Sequence, residues 1–365
     1  MIGNVSIVGA GTAGLIAAKA LSRHGIRTTV YDQKHRLGRP PRASGILSIK
    51  GLGSLGIEYS RAVTNTLSGA RIHAGGQTVS IKSKEPIAHV LDRPELNEIC
   101  REEAESAGAL VITGQRISGH ALDRMSGSGI LIGADGAVSS VAGHFSMGPI
   151  GRHALTYKAE YEVSSNDGMV DLFFDSAYKG LFAWLCPNSN DILEVGVGVD
   201  SRYGNGKRAF EHFIRSKDVA GIIGYSKPVS EGASMIPMSM RHRIVDESRG
   251  VLLVGDAAGQ VKATTGGGII FGGNAALIAA ETIKRHMEEG ASLKDYEDIF
   301  SRRYGMEMAL HRAISAVYSN SGPGTIGLGL RMMRTIGLDR FLGDYGDMDM
   351  PSLMIKRFFL RGLSN

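Results

Sequence analysis

Residues 4–32 read NVSIVGAGTAGLIAAKALSRHGIRTTVYD, and the fold follows from them. The apolar run NVSIV enters Gly9-Ala10-Gly11-Thr12-Ala13-Gly14, a stretch with helical spacing follows and closes at Gly25, and RTTVYD reads as a second strand. Strand, glycine turn, helix and strand make a β-α-β unit, and each glycine has a separate duty. Gly9 permits the turn, Gly11 lets a pyrophosphate approach the backbone, and Gly14 lets the helix pack on the strand. The helix N-terminus adds free N–H donors and partial positive charge. Asp32 stands 23 residues past Gly9, where it can accept from both hydroxyls of an adenosine ribose. The unit is a dinucleotide site.

A second stretch repeats this grammar far downstream. Residues 254–273 read VGDAAGQVKATTGGGIIFGG: Asp256 closes an apolar strand, and Gly266-Gly267-Gly268 precede a helix of small apolar residues. A nicotinamide dinucleotide has no use for a second clamp there, whereas FAD does. Its adenosine end occupies the first motif and its ribityl–isoalloxazine end must be held elsewhere. Asp256 suits a ribityl hydroxyl, and the glycines bring backbone N–H groups, and the positive end of the next helix, to the ring's pyrimidine edge. Two further segments lie between the clamps. Arg93 in LDRPEL opens a helix with Asp92 as its N-cap, where it can contact FAD, and Phe182, Trp184 and Pro187 in LFAWLCP offer an apolar wall. Asp135 in GADG reads as an ordinary Asp-Gly turn.

The expected fold class is α/β: a Rossmann-type FAD-binding domain interrupted by an antiparallel α+β domain, with a helical C-terminal region. The expected division gives residues 1–60, 86–150 and 245–290 to FAD, 61–85 and 151–244 to a substrate domain, and 291–365 to helices. The 365 residues hold 50 glycines, roughly twice the usual ~7%, with no collagen period or low-complexity tract, which marks tight turns and close approaches. The net charge of +5 suits phosphate or an anionic membrane surface. Scattered cations and 6% aromatics argue against nucleic acid. Cys100 and Cys186 are too few and too far apart for a disulfide scaffold or a zinc site, so no metal is expected. With no leader-type segment and no run of about 18 apolar residues, the expectation is a cytoplasmic protein. The tail Met354–Arg361 mixes three basic residues with apolar ones and adds peripheral membrane contact to that expectation.

Taken together, VGAGTAG, Asp32 in VYDQ, DRPEL, GADG, FAWLCP and GDAAGQVKATTGGGI resemble the geranylgeranyl reductase family of flavoproteins, within the para-hydroxybenzoate hydroxylase-like FAD superfamily, over roughly residues 4 to 310. The resemblance implies a non-covalent FAD and reduction of isolated double bonds in isoprenoid chains, such as those of archaeal ether phospholipids. It implies FAD contacts from Gly11, Ala13, Gly14, Asp32, Arg93, Asp256, Gly268 and Ile269, and backbone contact to the adenine side from Ile117 on the strand after Val111. It departs in one place. The family's R-C-G/A-x-x-[IL]-S segment is Arg42-Ala43-Ser44-Gly45-Ile46-Leu47-Ser48 here, so Ala43 replaces the cysteine beside the flavin, leaving backbone contacts from Ala43 and Ser44.

An unactivated alkene has no electron sink, so it must lie in a dry apolar slot where hydride and proton arrive together. Trp184, Phe182 and Pro187 form part of that slot in this reading, and Cys186 is one candidate for the acid. The reductant is NAD(P)H or a ferredoxin-like protein; no second fingerprint marks a nicotinamide site. Two other functions stay open: an FAD-dependent monooxygenase of an apolar or aromatic substrate, and a non-catalytic lipid-binding flavoprotein. A halogenase is disfavoured, because that family's motif carries two tryptophans and Trp184 is the only one here.

Overall fold

Val5, Ile7 and Val8 are all buried, so the first strand is covered on both faces, as a central strand of a parallel sheet must be. The computed structural model describes residues 4–38, 44–165 and 167–362. Its first sheet runs β15 (Val245–Asp246), β16 (Val251–Leu253), β9 (Ile130–Gly133), β1 (Asn4–Val8), β2 (Arg27–Tyr31), β8 (Leu110–Ile112). Every pairing in it is parallel except β15 with β16. Strands from three distant parts of the chain therefore share one sheet, and their C-terminal ends converge at the crevice between β1 and β9, where such sheets bind ligands. Ile117 lies beyond the end of β8, in irregular backbone, and not on the expected strand.

The second sheet has seven strands: β14 (Ser230–Pro237), β10 (His153–Glu162), β13 (Ile192–Asp200), β12 (Ala183–Pro187), β11 (Met169–Phe174), β5 (Gly69–Ala74) and β6 (Gln77–Lys82). It is antiparallel apart from β5 with β11, and Gly75-Gly76 turn the β5–β6 hairpin with positive φ. A third sheet joins β3 (Ile46–Ser48), β7 (Ala88–Leu91) and β4 (Val63–Leu67), an element that the sequence pattern did not reveal.

Of the helices, α1 (Thr12–Arg23) packs against α3 (Arg93–Ser106) and α8 (Ile269–Glu289). Short helices α2 (Ile49–Gly53), α4 (His120–Ser128) and α5 (Ser140–His144) flank the first unit, and α6 (Gly206–Ile214) and α7 (Lys217–Ile223) pack with the large sheet through Phe210, Phe213 and Val219. The C-terminal region is α9 (Asp295–Asn320), α10 (Pro323–Thr335), α11 (Leu338–Tyr345) and α12 (Pro351–Gly362). Glycines seat these helices on the sheet: a Cβ on Gly327 would meet the Ala74 carbonyl oxygen at 2.6 Å, and one on Gly343 the Lys82 carbonyl oxygen at 2.4 Å.

Candidate functional site

The first glycine motif divides its labour in a measurable way. Gly9 has φ +110°, and a Cβ there would lie 2.2 Å from the Ala134 carbonyl oxygen. A Cβ on Gly14 would lie 2.1 Å from the Gly9 carbonyl oxygen. The chain's own packing therefore demands both. Around a Cβ on Gly11 no atom of the described residues beyond its chain neighbours lies within 4 Å, so a ligand has room to approach the backbone there. Gly11 also caps α1 without a side-chain hydrogen bond, which leaves the first N–H groups of the helix without a side-chain cap. Asp32 accepts from Ala10 N–H and Lys34 N–H, each at 2.8 Å. It thus braces the turn, and each oxygen keeps a lone pair for a further donor. Thr12 donates to Asn97 at 2.8 Å and ties α1 to α3.

The second motif meets the first. A Cβ on Gly255 would stand 3.0 Å from Ala13 Cβ, and one on Gly272 2.8 Å from Gly255 Cα. In the triple glycine each residue has its own neighbour: Ile236 at 2.9 Å for Gly266, Lys262 at 2.8 Å for Gly267, and the Asp256 carboxylate at 2.7 Å for Gly268. Burial pushes the Asp256 carboxyl up, offset in part by the charge of Arg93. Burial in turn lowers the Arg93 guanidinium. Among the described residues, the buried Arg93 Nε and Ser44 Oγ have no hydrogen-bond partner.

Two cavities run through this region. The larger, 840 Å³, passes between the first sheet and β10–β14 and is lined by Lys34, Arg93, Asn97, Asp135, Tyr157 and Asp256, among others. The smaller, 310 Å³, is mostly apolar; Phe182, Trp184 and Ile236 face it, as do Asp256 and the Gly266–Gly268 loop. Arg93 and Asp256 line both, so one continuous site carries a polar and an apolar half. These features fit FAD: an open glycine at an uncapped helix start, two orphaned donors, and a carboxylate between the halves. Asp32, Arg93, Ser44, Asp256, Gly268 and Ile269 are the residues that would hold it.

The remaining expected positions fall out as follows. Phe182 and Trp184 line the apolar cavity, but Pro187 does not. Side chains alternate along β12, so Pro187 and Trp184 point to opposite faces, and the Pro187 carbonyl instead accepts from Asn65 at 2.7 Å. Cys186 is fully buried and lines neither cavity, so it is not placed to donate a proton in the slot; burial also pushes its thiol pKa well up. Gly9, Gly11, Ala13, Gly14, Asp32 and Ile117 are not among the lining residues of the two cavities. Ala43 lies outside the described residues. Asp135 accepts from Ser140 N–H at 2.6 Å and Val141 N–H at 3.1 Å, capping α5.

Sequence reasoning missed the polar cluster at the edge of the slot. Lys262 lines the slot and pairs with Asp349 at 2.5 Å; Ser48 donates to the same carboxylate, and His311 bridges the Asp349 carbonyl at 3.1 Å and Thr264 Oγ1 at 2.8 Å. Lys262 was visible as the one charge after Asp256 in the second motif, but its partner lies 87 residues away.

The family described as FAD binding domain matches residues 3–294. Digeranylgeranylglycerophospholipid reductase 1 of Methanothermobacter thermautotrophicus is 29% identical over 83% of this chain and 80% of its own. Digeranylgeranylglycerophospholipid reductase 2 of Methanosphaera stadtmanae is 28% identical over 83% and 84%. Among solved structures, a geranylgeranyl bacteriochlorophyll reductase-like protein from Thermoplasma acidophilum superposes with a TM-score of 0.82 at 19% identity, covering 97% of this chain and 95% of that one.

Proposed function

The chain belongs to the FAD binding domain family, and from that premise we propose that it reduces isolated double bonds in geranylgeranyl chains of archaeal-type ether lipids. The observation that carries this reading is the 310 Å³ slot, in which the loop of the second motif and the Phe182–Trp184 strand share one apolar space. The relatives named as digeranylgeranylglycerophospholipid reductases support the substrate class. Bound FAD, once reduced, would supply both hydrogens, one as hydride and one as a proton. The chain's own residues do the rest. Arg93 and Ser44 offer donors to anionic and carbonyl oxygens, and Asp256 accepts at the junction of the two halves. Phe182, Trp184 and Ile236 exclude water from the apolar half and hold a flat alkene without polar competition. We propose the same division of labour along the chain, with residues 1–60, 86–150 and 245–290 holding FAD and 61–85 with 151–244 facing the substrate.

The test is single-turnover reduction. FAD-loaded protein, reduced chemically by dithionite, is mixed with a geranylgeranyl ether lipid and the lipid is weighed by mass spectrometry. Each saturated bond adds two hydrogens. Unchanged chains on a protein shown to bind the lipid would sink the proposal, and hydroxylated lipid when the reduced protein is freed of dithionite and exposed to oxygen would replace it with a monooxygenase. Dithionite makes the result independent of whether the natural donor is NAD(P)H or a ferredoxin-like protein.

We extend the reading to peripheral contact with anionic membranes through α12. Among the described residues no helix is long and apolar enough to cross a membrane. In α12, Pro351 and Ser352 are buried while Leu353, Ile355, Lys356, Arg357 and Phe358 are exposed, an apolar and basic surface suited to a headgroup layer. Flotation with vesicles containing anionic lipid checks it: wild type floats and the Ile355→Glu/Phe358→Glu variant does not. Equal flotation of the two discards the contact.

A further inference from the structure

Trp184 presents its ring to the apolar slot, yet its indole N–H donates to Glu194 Oε1 at 2.7 Å. Glu194 is held in turn by Lys158 Nζ at 2.5 Å, which also reaches Glu160 at 3.0 Å. Lys158 is 4% exposed and Glu194 2%. These side chains line a third, polar cavity of 660 Å³, which shares Arg93 with the other two. Trp184 therefore stands between an apolar and a polar space, with its body in one and its donor tied to the rim of the other. On β13, which pairs with β12, Gly196 lies directly under the ring: a Cβ there would fall 2.1 Å from Trp184 Cζ2. The indole is clamped at its nitrogen and wedged at its benzo edge.

Stability does not account for such an arrangement. A buried ion pair is worth little more than well-packed apolar residues of the same volume, and often less. What it supplies is orientation. If the indole left this rotamer, its N–H and a buried carboxylate oxygen would both lose their partner. We propose that Glu194, held by Lys158, is the positioning residue that fixes the Trp184 ring as a wall of the slot, and so sets how far an isoprenoid chain enters and which of its double bonds are reduced. The identity of the chain rests on the reductase reading above; the clamp on the ring does not.

Trp184 is the only tryptophan, so its emission reports on the wall directly. Two double variants differ only in the acceptor offered to the indole, and neither strands a buried charge at these two positions. Lys158→Met/Glu194→Gln keeps the acceptor; Lys158→Met/Glu194→Leu removes it. In flavin-loaded protein the first is expected to keep the wild-type emission maximum, acrylamide quenching and distribution of partly reduced products. The second is expected to show red-shifted emission, stronger quenching, a KM for the geranylgeranyl lipid raised about 10-fold with kcat changed less, and a wider product distribution. Gly196→Ala pushes the ring from its other side with both charges intact and is expected to act like the Leu variant, which keeps the test alive should that variant fold poorly. Wild-type emission and quenching in both the Leu and the Ala variants overturn the proposal. Shifted emission in a protein that reduces no lipid overturns the substrate reading and leaves the clamp standing.

Discussion

The glycines of the first motif make opposite demands on mutation. A Cβ at Gly9 or Gly14 would enter the protein's own backbone, whereas one at Gly11 meets no atom of the described residues beyond its chain neighbours within 4 Å. Gly11→Ala is therefore expected to keep the thermal midpoint of the flavin-free protein and to lose FAD, while Gly14→Ala costs about 1–3 kcal/mol of fold stability through overpacking. Thermal melts of the flavin-free protein and FAD titration separate the two. A drop in the melting midpoint of Gly11→Ala would show that the space is structural. Arg93 allows a parallel argument. Among the described residues its buried Nε has no partner, and its charge stands beside the buried Asp256 carboxyl. Arg93→Met is expected to weaken FAD binding about 10-fold or more. Unchanged FAD affinity by titration would remove Arg93 from the site.

At the scale of elements, the tail meets the slot at Asp349, whose carboxylate takes Lys262 and Ser48 and whose carbonyl meets His311. Asp349, in the segment between α11 and α12, holds Lys262 beside the triple-glycine loop, while Met348 lines the slot. Burial would raise the Asp349 carboxyl, but Lys262 and the Ser48 hydroxyl outweigh it and hold the pKa below its usual value. Asp349→Ala strands a buried ammonium, and a loss of about 3–5 kcal/mol is expected. Limited proteolysis should then cut between α11 and α12 faster than in wild type, and an unchanged cutting rate there would show that the ion pair does not hold this segment down. This cluster also shows where sequence reading stops. Gly9 to Gly14, Asp32 and Asp256 were legible because each sits at a fixed offset from a strand end, and local backbone chemistry decides it. Asp349 and Lys262 meet across 87 residues through a helical tail with no motif. Pro187 was misplaced because a sequence match ignores the alternation that turns every second side chain of β12 away from the slot. The third sheet was missed because its strands are short and pair across α2 and the β5–β6 hairpin.

For the whole molecule, the seven-stranded sheet and the C-terminal helices are fastened at Asp200. Its carboxylate is fully buried and accepts from Arg152 and Arg202; Arg152 also donates to the Gly180 carbonyl at 3.2 Å and to Ser319 on α9 at 2.9 Å. Burial by itself would raise the Asp200 carboxyl, but bonds from the Arg202 side chain and backbone and from Arg152 outweigh it, and the pKa falls to about 2. The folded value lies below the unfolded one of about 3.9, so this carboxylate stabilises the fold at every pH above that range. Its contribution fades as pH drops from about 4 and is gone below about 2. Arg202 is 57% exposed, so solvent screens part of the interaction and the gain is no more than about 2 kcal/mol. Asp200→Asn removes the titration while keeping the side chain's shape. At neutral pH the variant should be less stable than wild type by up to that amount. On acidification its stability should fall less steeply between pH 4 and 2, so that the two denaturant midpoints converge. Midpoints that stay a constant distance apart across that window would mean that the variant loses packing rather than charge, and that another group fastens the sheet to α9.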